Sequence, residues 1–260
     1  MIDYFLENFK ILFLIMVRVT TLFMFIPVLN SREIPFLLKS GLSLFIAIIA
    51  LPFVRDTGFT LNDTTAISYF LAVLNEFLIG VTIGIIVYMF ITVFILSGEY
   101  YSMQIGFGII HTFDPMSQTS IPILGQFQSI IGYLVFILLR AHYYLIIAII
   151  ASYKYFPYYT FKKYNFAVQS IVKYFVDVFY IALIFAIPII GVLLVATIII
   201  GLLAKVAPQI NLLVIGFPIN IFLGIITLIF LEPILFTLSQ EIIKMILTEI
   251  HNFMYNIRIY

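Results

Sequence analysis

Long continuous apolar runs dominate the chain. A helix needs about 20 mostly apolar residues to cross the hydrocarbon core of a bilayer. Six runs reach or approach that length: residues 9–29, 40–54, 66–97, 121–150, 174–203 and 210–238. The second run is short unless residues 34–39 extend it. Because the runs lack the inside–outside alternation of a barrel strand, the sequence predicts an all-α integral membrane protein.

Prolines in or beside these runs predict bent helices. A proline inside a helix removes one backbone donor and favours a kink. The prolines in question are Pro27, Pro35, Pro122, Pro188, Pro218 and Pro233. We therefore expect about six hydrophobic helical segments arranged as broken hairpins.

One irregular stretch, residues 97–121, separates the third and fourth runs but stays partly apolar. Gly98, Gly106, Gly108 and the pair Asp114-Pro115 predict a break in regular structure there. The middle of the stretch nevertheless contains Ile, Phe and Met. Such side chains are unfavourable in a loop exposed to water, so we expect this segment to pack inside a cavity.

Composition supports a membrane environment and argues against several classes of function. Apolar residues make up 64% of the 260 residues and charged residues 10%, whereas soluble domains are near half and a quarter. The formal net charge of +1 gives no sign of a nucleic-acid partner. Cysteine is absent, and the three histidines lack ligand spacing. No catalytic or nucleotide-binding motif occurs, so we expect no enzyme activity, no metal and no cofactor.

Ionisable residues inside the apolar runs are candidate functional residues, since a charge at mid-bilayer costs at least ~2.5–3.5 kcal/mol. They are Arg18, Glu76, Arg140, Asp177 and Glu232. One interpretation is that they pair with each other or with partner subunits. A second is an ion-coupled small-molecule carrier that uses Glu76, Asp177 and Glu232. Their scattered positions favour pairing, and a third interpretation, an intramembrane hydrolase, lacks an evident nucleophile–base pair.

Small and amide residues add candidate packing sites. Gly80 and Gly84 are spaced so that two helices can approach closely. Gln209 and Asn211 lie beside Pro208, between the last two runs. Their amides can satisfy backbone groups freed where a helical hairpin reverses.

Motifs along most of the chain match a known family in their order and spacing. They are Arg18-Val19, Ser31-Arg32-Glu33-Ile34-Pro35, Glu76-Phe77-Leu78-Ile79-Gly80 with Gly84, Gly98-Glu99, Gln104-Ile105-Gly106, Asp114-Pro115, the segment 122–127, the segment 201–211 and Gly216-Phe217-Pro218-Ile219. Together they resemble the FliR family of flagellar export-gate proteins and, more broadly, the equivalent subunits of type III secretion injectisomes. Asn220 departs from the pattern, where a Lys is expected.

The end of the chain carries a second likeness. Residues 166–260 resemble FliQ, a small two-helix subunit, followed by a C-terminal tail. Residues 1–165 then correspond to a FliP-like helical part. This part includes residues 106–116, a loop that would plug the channel. The basic, Tyr-rich stretch 152–174, which we expect to be a loop, would join the two parts.

The resemblance implies a non-enzymatic subunit of the flagellar type III protein export gate, in the bacterial inner membrane at the basal body. It implies FliP and FliQ as partners, with FlhB and FlhA, unfolded export substrates and the lipid bilayer. The plug loop would be Gly106, Phe107, Gly108, Ile109, Ile110, His111, Thr112, Phe113, Asp114, Pro115 and Met116. Assembly contacts are predicted at Arg18, Glu76, Gly80, Gly84, Gln209, Asn211 and Pro218. The injectisome alternative stays open, although the overall likeness favours the flagellum.

Overall fold

The regular structure is helical throughout the part of the chain that the computed structural model describes, which is residues 2–26, 29–30, 34–56, 65–106, 123–155, 164–206 and 212–259. Seven helices occur there, without a strand: α1 (Ile2–Phe25), α2 (Phe36–Asp56), α3 (Ala66–Ile105), α4 (Ile123–Leu138), α5 (Ala141–Tyr155), α6 (Tyr164–Val206) and α7 (Leu212–Ile259). The predicted all-α class is confirmed.

Five helices are long and apolar enough to cross a membrane, namely α1, α2, α3, α6 and α7. The pair α4 and α5 forms a sixth if it is counted as one broken span. These elements match the six predicted runs and confirm a membrane protein. The second run reaches span length because α2 begins at Phe36.

Two predicted irregular regions are partly helical. Gly98 was expected to break the chain, but it lies inside α3, which continues to Ile105. The stretch 152–174 was expected to be a loop, but α5 extends to Tyr155 and α6 begins at Tyr164. Both expectations were wrong for the same reason. Glycine, tyrosine and lysine also occur at helix–helix contacts and helix ends, so their presence alone does not define a loop.

Two features of the helices were not predicted. The fourth run is broken at Leu139–Arg140, where Arg140 has a positive φ of 53°. No glycine or proline marks this break. The last helix continues to Ile259, far beyond residue 238. The apolar pattern did not predict this end because it is amphipathic and not uniformly apolar. Ile242, Ile246 and Phe253 are buried there, while Lys244 is exposed.

Prolines inside the helices do not end them. Pro52, Pro188, Pro218 and Pro233 all lie within helices. Pro27 and Pro122 lie outside the described residues.

Contacts divide the chain into two compact units. Unit 1 comprises Met1–Met89, Arg140–Phe175 and Lys244–Tyr260, and unit 2 comprises Phe90–Leu139 and Val176–Ile243. Helices α3, α6 and α7 therefore each contribute residues to both units. The two units are defined by contacts within the chain, whereas the division at residue 165 rests on likeness to two subunits. That division stays a prediction.

In unit 1, α1 packs along α2, and α2 also contacts α5. The core-facing stripe of α1 has helical spacing and includes Ile11, Leu14, Ile15 and Leu22, all fully buried. Arg18 continues the same stripe and is also fully buried. The buried face of α1 is therefore apolar except for Arg18 and Thr21, whose hydroxyl donates to the Val17 carbonyl.

In unit 2, the end of α3 packs against α4 through glycines. A Cβ on Gly98 would collide with Gly125 Cα and lie 2.7 Å from the Gly125 backbone nitrogen. A Cβ on Gly132 would lie 2.5 Å from the ring of Phe94. Since Phe94 precedes Gly98 while Gly132 follows Gly125, the two helices are antiparallel. The helix backbones thus touch at Gly98, which explains why a glycine stands inside α3.

Replacing Gly98 by Ala is expected to destabilise the protein by about 1–3 kcal/mol, because the new methyl group meets backbone that cannot rotate away. Thermal unfolding of the detergent-solubilised protein measures the effect. Gly191→Ala is the matched control, since nothing lies within 4 Å of a Cβ at that position. Equal unfolding temperatures for the two variants would contradict the proposed contact.

Candidate functional site

A buried ion pair joins α1 to α3 in unit 1. Arg18 Nε donates to Glu76 Oε2 at 2.6 Å, and Arg18 Nη2 donates to Glu76 Oε1 at 3.0 Å. Both side chains have 0% of their surface exposed. The two parallel bonds match the planar guanidinium to the carboxylate, which is the strongest common geometry for such a pair. The predicted pairing of intramembrane charges is confirmed for these two residues.

Helix α5 completes the cluster with two adjacent side chains. Arg18 Nη1 donates to Ser152 Oγ at 2.5 Å, and Ser152 Oγ donates to the carbonyl of Ile149. The hydroxyl of Tyr153 donates to Glu76 Oε2 at 3.0 Å. The guanidinium carbon lies 3.6 Å from the centre of the Tyr153 ring, within cation–π distance. Three helices therefore meet at one neutral, hydrogen-bonded cluster.

The electrostatics of this cluster favour a structural tie over an ion path. An isolated buried charge is expensive, and partners with good geometry offset that cost. The Glu76 carboxylate accepts three hydrogen bonds, two from Arg18 and one from Tyr153. A carboxylate held in this way has no exposed oxygen to offer a passing ion.

Gly80 and Gly84 extend the same contact along α3. A Cβ on Gly80 would lie 2.8 Å from the Arg18 carbonyl oxygen and 2.9 Å from Thr21 Cβ. A Cβ on Gly84 would lie 2.7 Å from Phe25 Cβ. With Glu76 they stand four residues apart on one face of α3. The predicted close helix approach is confirmed, and the neighbour that approaches is α1 of the same chain.

The other predicted charges are not fully buried. Arg140 is exposed, and Asp177 and Glu232 are half-buried. Asp177 and Glu232 belong to unit 2, and Arg140 belongs to unit 1 without joining the Arg18–Glu76 cluster. The structure therefore does not provide the relay through Glu76 that the carrier interpretation requires.

Of the predicted plug loop, Gly106 alone lies among the described residues. It has a positive φ of 104°, which suits glycine, and it stands where α3 ends. The ring of Phe217 lies 3.2 Å from the position of a Cβ on Gly106, and Ile105 packs against Gly224 of α7. Residues 107–116, Gln209 and Asn211 lie outside the described residues. Pro218 is exposed on α7.

Sequence reasoning did not identify several residues of these contacts. Ser152 and Tyr153 were noted only as part of a basic, Tyr-rich stretch. In unit 2, the Tyr101 hydroxyl donates to Gln128 Oε1 at 3.1 Å, and both side chains are buried. The sequence signal that could have identified these residues is a polar side chain within an apolar run, as for Glu76.

Together, the apolar helices, the buried polar cluster and the glycine contacts define an all-helical membrane protein whose helices are joined by interhelical hydrogen bonds and close packing. The chain belongs to the family described as bacterial export proteins, family 1, which it matches over residues 9–246. The resemblance to FliR inferred from the motifs is thereby confirmed.

Individual relatives cover nearly the whole chain. Flagellar biosynthetic protein FliR of Bacillus subtilis is 26% identical over 254 residues, which is 95% of each chain. The FliR of Buchnera aphidicola from Acyrthosiphon pisum is 30% identical over 242 residues, or 91% of each chain. The FliR of Escherichia coli K12 is 28% identical over 223 residues, covering 85% of this chain and 83% of the relative.

Replacing Glu76 by Ala is expected to destabilise the protein by about 3–5 kcal/mol, because the Arg18 guanidinium is left buried without its counter-ion. Chemical unfolding in detergent measures the loss. The double variant Arg18→Met, Glu76→Leu removes both charges and is expected to recover most of the stability. A double variant no more stable than Glu76→Ala would show that the unpaired charge is not the cause.

Proposed function

We propose that the chain is a subunit of the flagellar type III protein export gate. With FliP and FliQ, it forms the channel through which unfolded export substrates pass, in the bacterial inner membrane at the basal body. FlhB and FlhA are its further partners. The observation that carries this proposal is the family match over residues 9–246, together with full-length relatives named flagellar biosynthetic protein FliR.

The apolar surface of the helices supports a role within an assembly. Only 28% of the candidate membrane span in α6 and 22% of that in α7 are buried within the chain. The corresponding figure for α3 is 61%. Helices α6 and α7 thus carry a large apolar surface that requires lipid or other subunits around it. We assign this surface in part to FliP and FliQ copies.

We assign the resting closure of the channel to residues 106–116. Their glycines permit backbone movement, and their Ile, Phe and Met side chains can exclude water and ions from a narrow pore. The helices on either side of the segment support this role, because Gly98 of α3 contacts Gly125 of α4. Because α3 and α4 contact each other directly, a plug that joins them can open without loss of their packing.

The assembly role proposed for Arg18, Glu76, Gly80 and Gly84 is indirect. Glu76 and Arg18 are fully buried within the chain, and the two glycines contact α1. These residues therefore act by fixing α1, α3 and α5 in the arrangement that partners recognise. Direct contacts are left to exposed positions such as Pro218, and to Gln209 and Asn211.

Deleting residues 109–113 is expected to raise ion leakage through the assembled complex roughly tenfold, because an apolar constriction excludes ions only while it is filled. Conductance of cells or of reconstituted vesicles measures the leak. Replacing Ile109 and Ile110 by Leu keeps the apolar volume and is expected to leave conductance unchanged. Leakage of the deletion variant equal to wild type would exclude a plug here.

Co-purification with FliP and FliQ tests the assembly role. Glu76→Ala is expected to lower the recovered complex several-fold, as a cost of about 3–5 kcal/mol depletes the folded subunit. The double variant Arg18→Met, Glu76→Leu is expected to assemble nearly normally, and Glu241→Ala, an exposed carboxylate, serves as control. A stable double variant that fails to assemble would instead assign a direct contact to the charged pair.

A further inference from the structure

Unit 1 contains an apolar cavity of about 170 Å³ between α5 and the end of α7. Its lining is Tyr144, Leu145, Ile147, Ala148, Ala151, Leu247, Ile250 and His251. The small side chains of Ala148 and Ala151 leave the space, and Tyr144, Ile147 and His251 are exposed at its rim. We call this cavity the α5 groove. A cavity of about 150 Å³ accommodates a benzene-sized apolar group, so the groove has room for a short length of hydrocarbon.

A cationic and aromatic rim stands at the start of α5, and one of its residues, Tyr144, also lines the groove. Arg140 precedes the helix and is exposed, and among the described residues it forms no ion pair. Tyr143 and Tyr144 are 57% and 51% exposed, and their rings meet edge to face with centroids 6.0 Å apart. The Tyr143 N–H donates to the Arg140 carbonyl at 2.9 Å, so Arg140 lies in the first turn that leads into α5.

The chemistry of this rim suits a phosphate group at the membrane surface. Guanidinium binds phosphate oxygens through paired hydrogen bonds, and tyrosines concentrate where lipid headgroups lie. Arg140 also stands at the N-terminus of α5, where the positive end of the helix dipole favours an anion. On the neighbouring part of α7, the Glu249 carboxylate accepts a hydrogen bond from Tyr174 at 3.1 Å and is thus already engaged.

We propose that unit 1 binds one anionic phospholipid. Its phosphate lies against Arg140, Tyr143 and Tyr144, and one acyl chain occupies the α5 groove over Ala148 and Ala151. The helical spacing of Tyr144, Ala148 and Ala151 places Tyr144 of the rim and the groove on one face of α5. A phospholipid is the ligand that supplies an anion and a hydrocarbon chain together, and the chain's apolar spans place it among such molecules. This site is independent of the channel and of the plug.

Lipid retention by the full chain, purified with the subunits that accompany it, tests the site. The complex is reconstituted in an equal mixture of phosphatidylglycerol and phosphatidylcholine, extracted in mild detergent and analysed by native mass spectrometry. Wild type is expected to retain phosphatidylglycerol in preference to phosphatidylcholine. Arg140→Gln is expected to lower that retention about fivefold, the effect of one arginine at an anionic surface. Arg140→Lys is expected to preserve it.

Two further variants separate the groove from the rim. Ala151→Phe fills the groove and is expected to lower phosphatidylglycerol retention while leaving Arg140 in place. Ala66→Phe and Lys205→Gln, both at exposed positions, are the matched controls and are expected to retain lipid as wild type does. Circular dichroism and elution volume confirm that each variant is folded. Retention unchanged in both Arg140→Gln and Ala151→Phe overturns the proposal.

The identity of the occupant is tested directly with a photoreactive benzoylphenylalanine at position 147, on the wall of the groove. Cross-linking to phospholipid supports the proposal, whereas cross-linking to another protein chain overturns it. Excess glycerol phosphate, which carries the same anion without an acyl chain, is expected not to displace the lipid. Displacement by glycerol phosphate would show an anion site that makes no use of the groove, and would also overturn the proposal.

Discussion

The guanidinium of Arg18 and the carboxylate of Glu76 meet where neither ion is in contact with water. Removing each ion from water costs several kcal/mol, which only close pairing and further hydrogen bonds can offset. Ser152 and Tyr153 supply those bonds from a third helix. The positions of α1, α3 and α5 are therefore constrained together, because moving any one of them by a turn would separate a charged group from its partners.

The packing of α3 meets a second requirement of an apolar environment. Between helices in lipid, the hydrophobic effect contributes little, so association depends on close contact and polar bonds. Helix α3 uses glycine for close contact in both units: Gly80 and Gly84 face α1, and Gly98 faces α4. The same glycines that an isolated helix would disfavour are what allow α3 to be the most buried of the long spans.

The sequence predicted the helices well, and their interactions less well. Continuous apolar runs locate spans because length and hydropathy are local properties. The partner of Arg18 could not be identified, since a buried charge requires a counter-ion without specifying which helix supplies it. Gly98 was misassigned because glycine serves both turns and close contacts. The break at Leu139–Arg140 has no glycine or proline, and the end of α7 loses hydropathy while staying amphipathic.

The distance along the chain between the members of the buried cluster affects biosynthesis. Arg18 emerges from the ribosome 58 residues before Glu76 and 134 residues before Ser152. Until those residues are made, a nascent first span that enters the bilayer carries an uncompensated charge, at a cost of at least ~2.5–3.5 kcal/mol. The hydrogen bonds that offset this charge therefore become available only after α3 and α5 have been made.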